Sequence, residues 1–363
     1  MLRIKPKFHE VWRGIGAKLH VMEFIKGGLH LPFGTEGPPA PFEIHNIVDP
    51  QYEDMVQERI EFMIRTHRII PARDRSKLLG VSRFARSHLP RGQLVLNLRE
   101  LNKHLARVPN LMSRTLPVGK DGFLKQHLQP NDWMAKMDLR HGYSHFEVHP
   151  DSQAYLGLTW AGKYYTHVSL PYGLSWSTYM FNETMDTVLM HIKQTITDKV
   201  YAYADDWLVY GSSYDEVSTN FFKIQQLFDS LGLSVNLAKC SAEPTQRMEF
   251  VGVNLSTSGK EVSTQPLRTK LVSVLENLQN TMAMDEVPVR VLAVLQGQMR
   301  SLVKFGAPEA LLEFPVMLAA LRQKSHWGDS APITRELYAE FEELSFLLET
   351  LIANSVLGVV LTR

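Results

Sequence analysis

The sequence predicts an α+β fold, with mixed helices and strands to about residue 263 and a mostly helical subdomain after it. Three observations carry this. Short β-prone runs alternate with segments whose apolar residues recur at helical spacing. Turn residues punctuate them, as in Pro90-Arg91-Gly92, in Pro171 with Gly173, and in Ser258-Gly259. Beyond Pro266 two apolar helical faces follow, Leu267, Leu271, Val274, Leu275 and Leu278, then Val291, Leu295, Met299 and Leu302. At 363 residues the chain is long enough for two to three domains of ~150 residues.

The elements follow in order. Residues 1–45 are rich in Gly and Pro and read as an irregular leader. From Asp49-Pro50, a helix start signal, Met55, Ile60, Met63 and Ile64 predict a helix to about Arg68. Residues 94–98 (LVLNL) read as a short strand, and 99–105 as a helical turn. A short apolar strand closes on Asp138, and 164–170 reads as a strand. Residues 175–192 and 215–231 have helical character, the second ended by Gly232. Between them, 200–203 and 207–210 are β-prone runs hinged at Ala204-Asp205-Asp206. The runs 250–255 and 261–263 flank a hairpin at Ser258-Gly259. An acidic helix over 335–352 and a short apolar run to Arg363 close the chain.

Composition excludes several classes. Hydrophobic content of 44% and charged content of 21% are those of a folded globular protein, not a disordered or collagen-like chain. The single cysteine, Cys240, excludes an intrachain disulfide and cysteine-based zinc sites, and points to an intracellular setting, cytoplasmic or nuclear. The basic N-terminus is the one feature compatible with an organellar address. No run of ~18 apolar residues exists, so no membrane partner is expected. The net charge of +1 hides an asymmetry: residues 1–150 carry 23 cations and 15 anions, and residues 151–363 carry 16 and 23. Between Arg65 and Arg91, eight cations face one anion, Asp74, an electrostatic footprint for a polyanion or a solvated loop.

Three carboxylates stand out. Asp138 closes a short strand, and Asp205 and Asp206 sit in a tight turn between apolar strands, a costly place unless solvated or bound to a cation. Carboxylates on neighbouring strands hold two Mg²⁺ about 4 Å apart for in-line phosphoryl transfer, and magnesium prefers such oxygen ligands. An Asp-Asp dipeptide alone is more often an ordinary β-turn. His141, His145 and His149 share a spacing that invites a zinc reading, but Gly142 and Pro150 interrupt the helix it would need.

The dipeptide has company. Residues 203–206 (YADD) resemble the catalytic box of reverse transcriptases, and five further blocks follow that family's order. Residues 94–103 (LVLNLRELNK) resemble the fingers block and 137–143 (MDLRHGY) the first palm acid with its downstream aromatic. Residues 170–175 (LPYGLS) with Phe181 resemble the template-side palm block, 231–239 (LGLSVNLAK) the lysine block, and 250–252 (FVG) the primer grip. The leader, with GGLHLPF at 27–33, is most similar to retrotransposons of the DIRS type or related LTR-like elements.

This resemblance implies a right-hand polymerase with fingers, a palm of antiparallel sheet plus helices, and a helical thumb. Its parts would be a leader over 1–45, fingers mainly over 46–132, a palm with primer grip over 133–263, a thumb over 264–325 and the start of a connection over 326–363. It implies an RNA-directed DNA polymerase that extends a primer on an RNA or DNA template with dNTPs. Two Mg²⁺ ions, with Mn²⁺ as a substitute, would be held by Asp138, the Leu139 backbone, Asp205 and Asp206, with Asp206 the least central ligand. Tyr143, five residues after Asp138, would be the steric gate against a ribose 2′-OH. Tyr172 would line the nucleotide pocket, and Lys239 would protonate or neutralise the leaving pyrophosphate. Phe250, Val251 and Gly252 would hold the primer end. The plain alternatives are a core tyrosine at Tyr143 and a surface lysine at Lys239.

The family's triphosphate-contacting arginine falls at Gln93 here, so Arg91 is expected to serve instead, with Arg86 or Arg83 as the second cation. Asn97 stands where an aspartate is usual. No acidic ligand set of the ribonuclease H kind remains before Arg363, so that activity is expected from a separate domain or protein. The rival reading is a catalytically retired, nucleic-acid-binding scaffold in a larger assembly, and a two-metal nuclease fits the acids but not the block order.

Overall fold

The computed structural model describes residues 4–109, 122–322 and 326–357. The chain divides into two compact units: residues 1–113, 135–209 and 218–242 form the first, and residues 114–134, 210–217 and 243–363 the second.

In the first unit a five-stranded sheet has the order Phe42–Glu43, Gly80–Val81, Gly157–Trp160, Lys163–His167, Ile69–Pro71. Another sheet places Val200–Tyr203 beside Asp206–Gly211, and that strand beside Trp133–Asp138. The first two pair antiparallel with Tyr203 opposite Asp206. Trp207, Leu208 and Val209 are fully buried, so apolar burial fixes this register.

Helix Ser175–Thr195 buries Met180, Phe181, Thr184, Met185, Val188 and Ile192, the spacing of one helical face. Helix Tyr214–Leu231 buries Val217, Phe221, Ile224 and Phe228, and Phe228 meets Trp207 edge-on at 5.0 Å. It ends in a Schellman motif. Gly232 sits at φ +75, its N–H donates to Asp229, and the Leu233 N–H donates to Phe228. Asp49 caps the turn Pro50–Tyr52 that leads into helix Glu53–Arg65.

Two sequence expectations fail in this unit. Residues 94–98 form no extended strand: their pairing is one bridge, Phe84 to Leu96, with the Ala85 N–H donating to the Val95 carbonyl at 2.8 Å and the Asn97 N–H to the Arg83 carbonyl at 2.8 Å. The leader is not irregular throughout: helices His9–Gly14 and Leu19–Gly27 precede its Gly/Pro-rich part. Trp12 is fully buried there and its indole N–H donates to the Leu231 carbonyl at 2.9 Å. Val21, Met22, Phe24 and Ile25 are buried too, and Phe24 stacks on Phe146 at 5.1 Å.

The second unit holds a three-stranded antiparallel sheet, Arg247–Phe250, Val253–Ser256, Ser263–Pro266. It also holds helices Arg268–Met282, Val289–Lys304, Pro315–Arg322 and Arg335–Leu357. Their core includes Leu271, Leu278, Leu292, Leu295, Met299, Phe314, Phe341 and Leu348. The 250–255 run is therefore not one strand. Val251 at φ +47 and Gly252 at φ +76 turn the chain between two strands, in addition to the expected Ser258-Gly259 turn. The closing apolar run to Arg363 lies outside the described residues.

Candidate active site

Asp138 ends its strand with only 7% of its surface exposed. Backbone contacts on both sides pin the segment it opens. The Asp138 N–H donates to Cys240 Sγ at 3.4 Å and its carbonyl accepts from the Asn236 N–H at 2.8 Å. The Leu139 N–H donates to the Asp205 carbonyl at 3.0 Å, and the Arg140 N–H to the Ser234 carbonyl at 2.8 Å. The first acid is thus tied directly to the turn that carries the second.

That turn is a two-residue hairpin closed by Tyr203 and Asp206, with Ala204 at φ +53. A non-glycine residue there costs roughly 1 kcal/mol, strain of the kind that gathers at functional sites. Burial pushes the Asp205 carboxyl above the ordinary carboxylate range, and the charges of Asp206 and Asp138 push it further, while Lys239 pulls it down. Asp206 instead pairs with Lys136 at 3.2 Å. The structure therefore gathers Asp138, Asp205 and Asp206 into one field, with Lys239, an exposed residue at the end of turn Leu237–Lys239, acting on it. Cys240 is half-buried and supports the Asp138 backbone, with its thiol pushed up by burial.

Tyr143 lies on the turn Gly142–His145. Its hydroxyl bonds Thr178 Oγ1 at 2.8 Å, and its ring stacks on Tyr172 at 5.0 Å and leans on Phe181 at 5.1 Å. Tyr172 remains 51% exposed. Glycine at position 142 leaves room for the Phe181 ring, from which a Cβ would lie 2.8 Å, so any larger residue has to displace that ring. The Tyr172 loop is clamped by Asn102, whose amide donates to the Gly173 carbonyl at 2.9 Å and whose Oδ1 accepts from the Ser175 N–H at 3.1 Å. Gly173 at φ +95 leaves a Cβ no room, 2.4 Å from the Leu96 carbonyl oxygen. The 94–103 block thus holds the 170–175 block. Sequence reasoning did not assign roles to Asn102, Gly142, Thr178 or Cys240; the two glycines were the available signal.

The three histidines part company. His145 is buried with both ring nitrogens engaged: Nδ1 meets the Gly142 carbonyl at 3.0 Å and Nε2 accepts from the Ser234 N–H at 2.9 Å. Burial lowers its pKa to about 4, which keeps it neutral. His141 sits at φ +54, lowered to about 4 by burial and by the charges of Arg68, Arg140, Lys239 and Arg59. His149 stacks on His30 at 3.5 Å, and with Asp151 these place candidate ligand atoms within 4.8 Å of one another.

Arg86 and Arg91 are exposed on the turn Arg86–Arg91, while Asp206, Asp138 and Lys239 are the charges that act on Asp205. Gln93 bonds His88 at 3.2 Å. Phe250, Val251 and Gly252 belong to the second unit. Phe250 is fully buried, and Lys270 Nζ donates to the Gly252 carbonyl at 2.9 Å while lying over the Phe305 ring at 4.2 Å.

Residues 88–255 match the family model described as reverse transcriptase (RNA-dependent DNA polymerase). A putative enzymatic polyprotein of Cassava vein mosaic virus is 24% identical over 170 residues, 47% of this chain and 24% of that polyprotein. The Tf2-3 transposon polyprotein of Schizosaccharomyces pombe is 25% identical over 167 residues, 46% of this chain and 12% of the polyprotein. The matched segment is thus a small part of either relative. A solved foamy viral protease–reverse transcriptase in complex with dsDNA superposes with a TM-score of 0.66 at 16% identity, covering 95% of this chain and 71% of that one. A second, of the same viral protein with an RNA/DNA hybrid, gives 0.66 at 15%, covering 94% and 46%. Residues 88–255 thus resemble a reverse transcriptase domain, and the chain has the α+β fold of the solved reverse transcriptases.

Proposed function

We propose that this chain extends a primer 3′ end with dNTPs on an RNA or DNA template, by two-metal phosphoryl transfer. The observation that supports it most is the mutual repulsion of Asp138, Asp205 and Asp206 on two backbone-linked strands, where burial already raises Asp205. Clustered hard-oxygen donors whose charge Lys136 and Lys239 only partly offset fit divalent cations. Asp138, the Leu139 backbone, Asp205 and, less centrally, Asp206 would hold two Mg²⁺ or Mn²⁺. When bound, such a pair supplies activation of the attacking hydroxyl and neutralisation of the leaving oxygen.

The chain's own residues do the rest. Tyr143, held by Thr178 and braced by Phe181, excludes a ribose 2′-OH. Tyr172 stacks beside it and lines the nucleotide pocket. Lys239 neutralises or protonates the pyrophosphate. Arg86 and Arg91 meet phosphates, and Phe250, Val251 and Gly252 position the primer end. We read the source as a retroelement of the DIRS type or a related LTR-like kind, acting in the cytoplasm or nucleus.

The test is primer extension on RNA and DNA templates with Mg²⁺ and dNTPs. Extension is expected, and Tyr143→Ala should admit ribonucleotides. Folded protein that extends no primer under any metal or salt condition contradicts the proposal.

A further inference from the structure

The spacing of His149 with His141 and His145 invites a zinc reading, and the fold pairs His149 with other residues instead. Its ring stacks on His30, from the leader, at 3.5 Å with 26° between the planes. Ligand atoms of His30, His149 and Asp151 all lie within 4.8 Å of one another. His30 and Asp151 are exposed and His149 is partly buried, so the three meet at the surface of the first unit. The charges that act on Asp205 do not include Asp151.

The backbone sets this meeting. The Leu29 N–H donates to the Glu147 carbonyl at 2.8 Å, and the His149 N–H to the Leu29 carbonyl at 2.9 Å. The Leu31 N–H donates to Ser152 Oγ at 2.9 Å. His30 is thereby held between two residues that are each tied to the 147–152 segment. Gly28, at φ +85, permits the approach, since a Cβ there would lie 2.7 Å from the His149 backbone nitrogen.

Two imidazoles and a carboxylate are a donor set for a dication of the zinc class, with a fourth position left for water. Zinc holds nitrogen at ~2.0–2.1 Å, which puts two tetrahedral nitrogens about 3.3 Å apart, close to the spacing of these rings. Magnesium, which prefers oxygen, is a poor occupant. The cluster also carries a repulsion that a metal ion removes. His149 Nδ1 accepts from the Asp151 N–H at 3.3 Å and so bears no proton, yet Asp151 Oδ2 stands 3.5 Å from the same nitrogen. Two lone pairs face each other there, and a cation between them attracts both.

We propose that His30, His149 and Asp151 bind one dication of the zinc class, which clips the leader to the 147–153 segment. The site stands independently of the polymerase reading.

The test is Zn²⁺ titration of the full chain by calorimetry, with excess Mg²⁺ present to compete at the Asp138 and Asp205 carboxylates. It compares wild type with His30→Asn, Asp151→Asn and Asp205→Asn. Wild type should bind one equivalent, and its melting should rise by about 5–10 °C at free Zn²⁺ about 100-fold above Kd. His30→Asn and Asp151→Asn alter exposed side chains, so both should melt like wild type without metal. Each should bind Zn²⁺ at least about 10-fold more weakly, while Asp205→Asn should bind it as wild type does. Wild type that takes up no Zn²⁺ overturns the proposal. So does one-equivalent binding that survives both His30→Asn and Asp151→Asn, or that Asp205→Asn alone removes.

Discussion

Two buried carboxylates, one in each unit, show how differently the halves of this chain use charge. In the second unit Glu340 is 8% exposed, and both its oxygens accept helix N–H groups, from Val316 at 2.8 Å and Met317 at 2.9 Å. It caps helix Pro315–Arg322 and is satisfied by the fold. In the first unit Asp138 and Asp205 face each other's charge. A charge that the fold completes serves stability; a charge that the fold leaves open is held for something that arrives later. The backbone agrees, since Ala204 and His141 occupy the left-handed region beside the acids.

The largest way to sharpen that contrast is acid. His145 and His167 are buried and sit at about 4, against 6.5 for an exposed imidazole. Between those values the unfolded chain binds more protons, so stability is complete above about pH 6.5 and falls as pH drops toward 4. The loss is about 3 kcal/mol for each imidazole. Denaturant unfolding from pH 7 to 4 should show the first unit weakening along this curve; a flat profile breaks the account of these residues as buried and neutral. Next comes Glu340→Ala, which strips two helix N–H groups of their acceptor and should cost about 2 kcal/mol by thermal melting. If the loss is negligible, Glu340 is not the completed charge described here. Gly142→Ala should cost about 1–3 kcal/mol through the Phe181 ring and weaken discrimination against ribonucleotides by shifting Tyr143. Unchanged selectivity would separate Phe181 from the gate.

Much of this was legible in the sequence, for physical reasons. The strand and helix around YADD announce themselves through apolar runs and periodicity, and helices Ser175–Thr195 and Tyr214–Leu231 lie within a few residues of their expected bounds. The contacts that assemble the site were not legible, because they join distant segments. Cys240 meets Asp138 across 102 positions, and Asn102 meets Ser175 across 73. Local pattern misled at Leu94–Leu98, where an apolar run makes one bridge, to Phe84, and bonds Arg83 and Ala85 on either side of it. It also misled at the leader, where Gly and Pro after residue 27 drew attention from the helices that bury Trp12 and Phe24. At Val251-Gly252 a turn lay hidden inside a β-prone run because valine rarely adopts a positive φ.

The most direct measurement is the extension rate of Asp205→Asn beside wild type, with duplex affinity measured on the same preparations. The account predicts a loss of at least about 10³-fold in rate with duplex binding unchanged, since the substitution removes a charged ligand and relieves repulsion rather than breaking the fold. A variant that extends primers within about tenfold of wild type would show that the open charge at this turn is not the seat of catalysis.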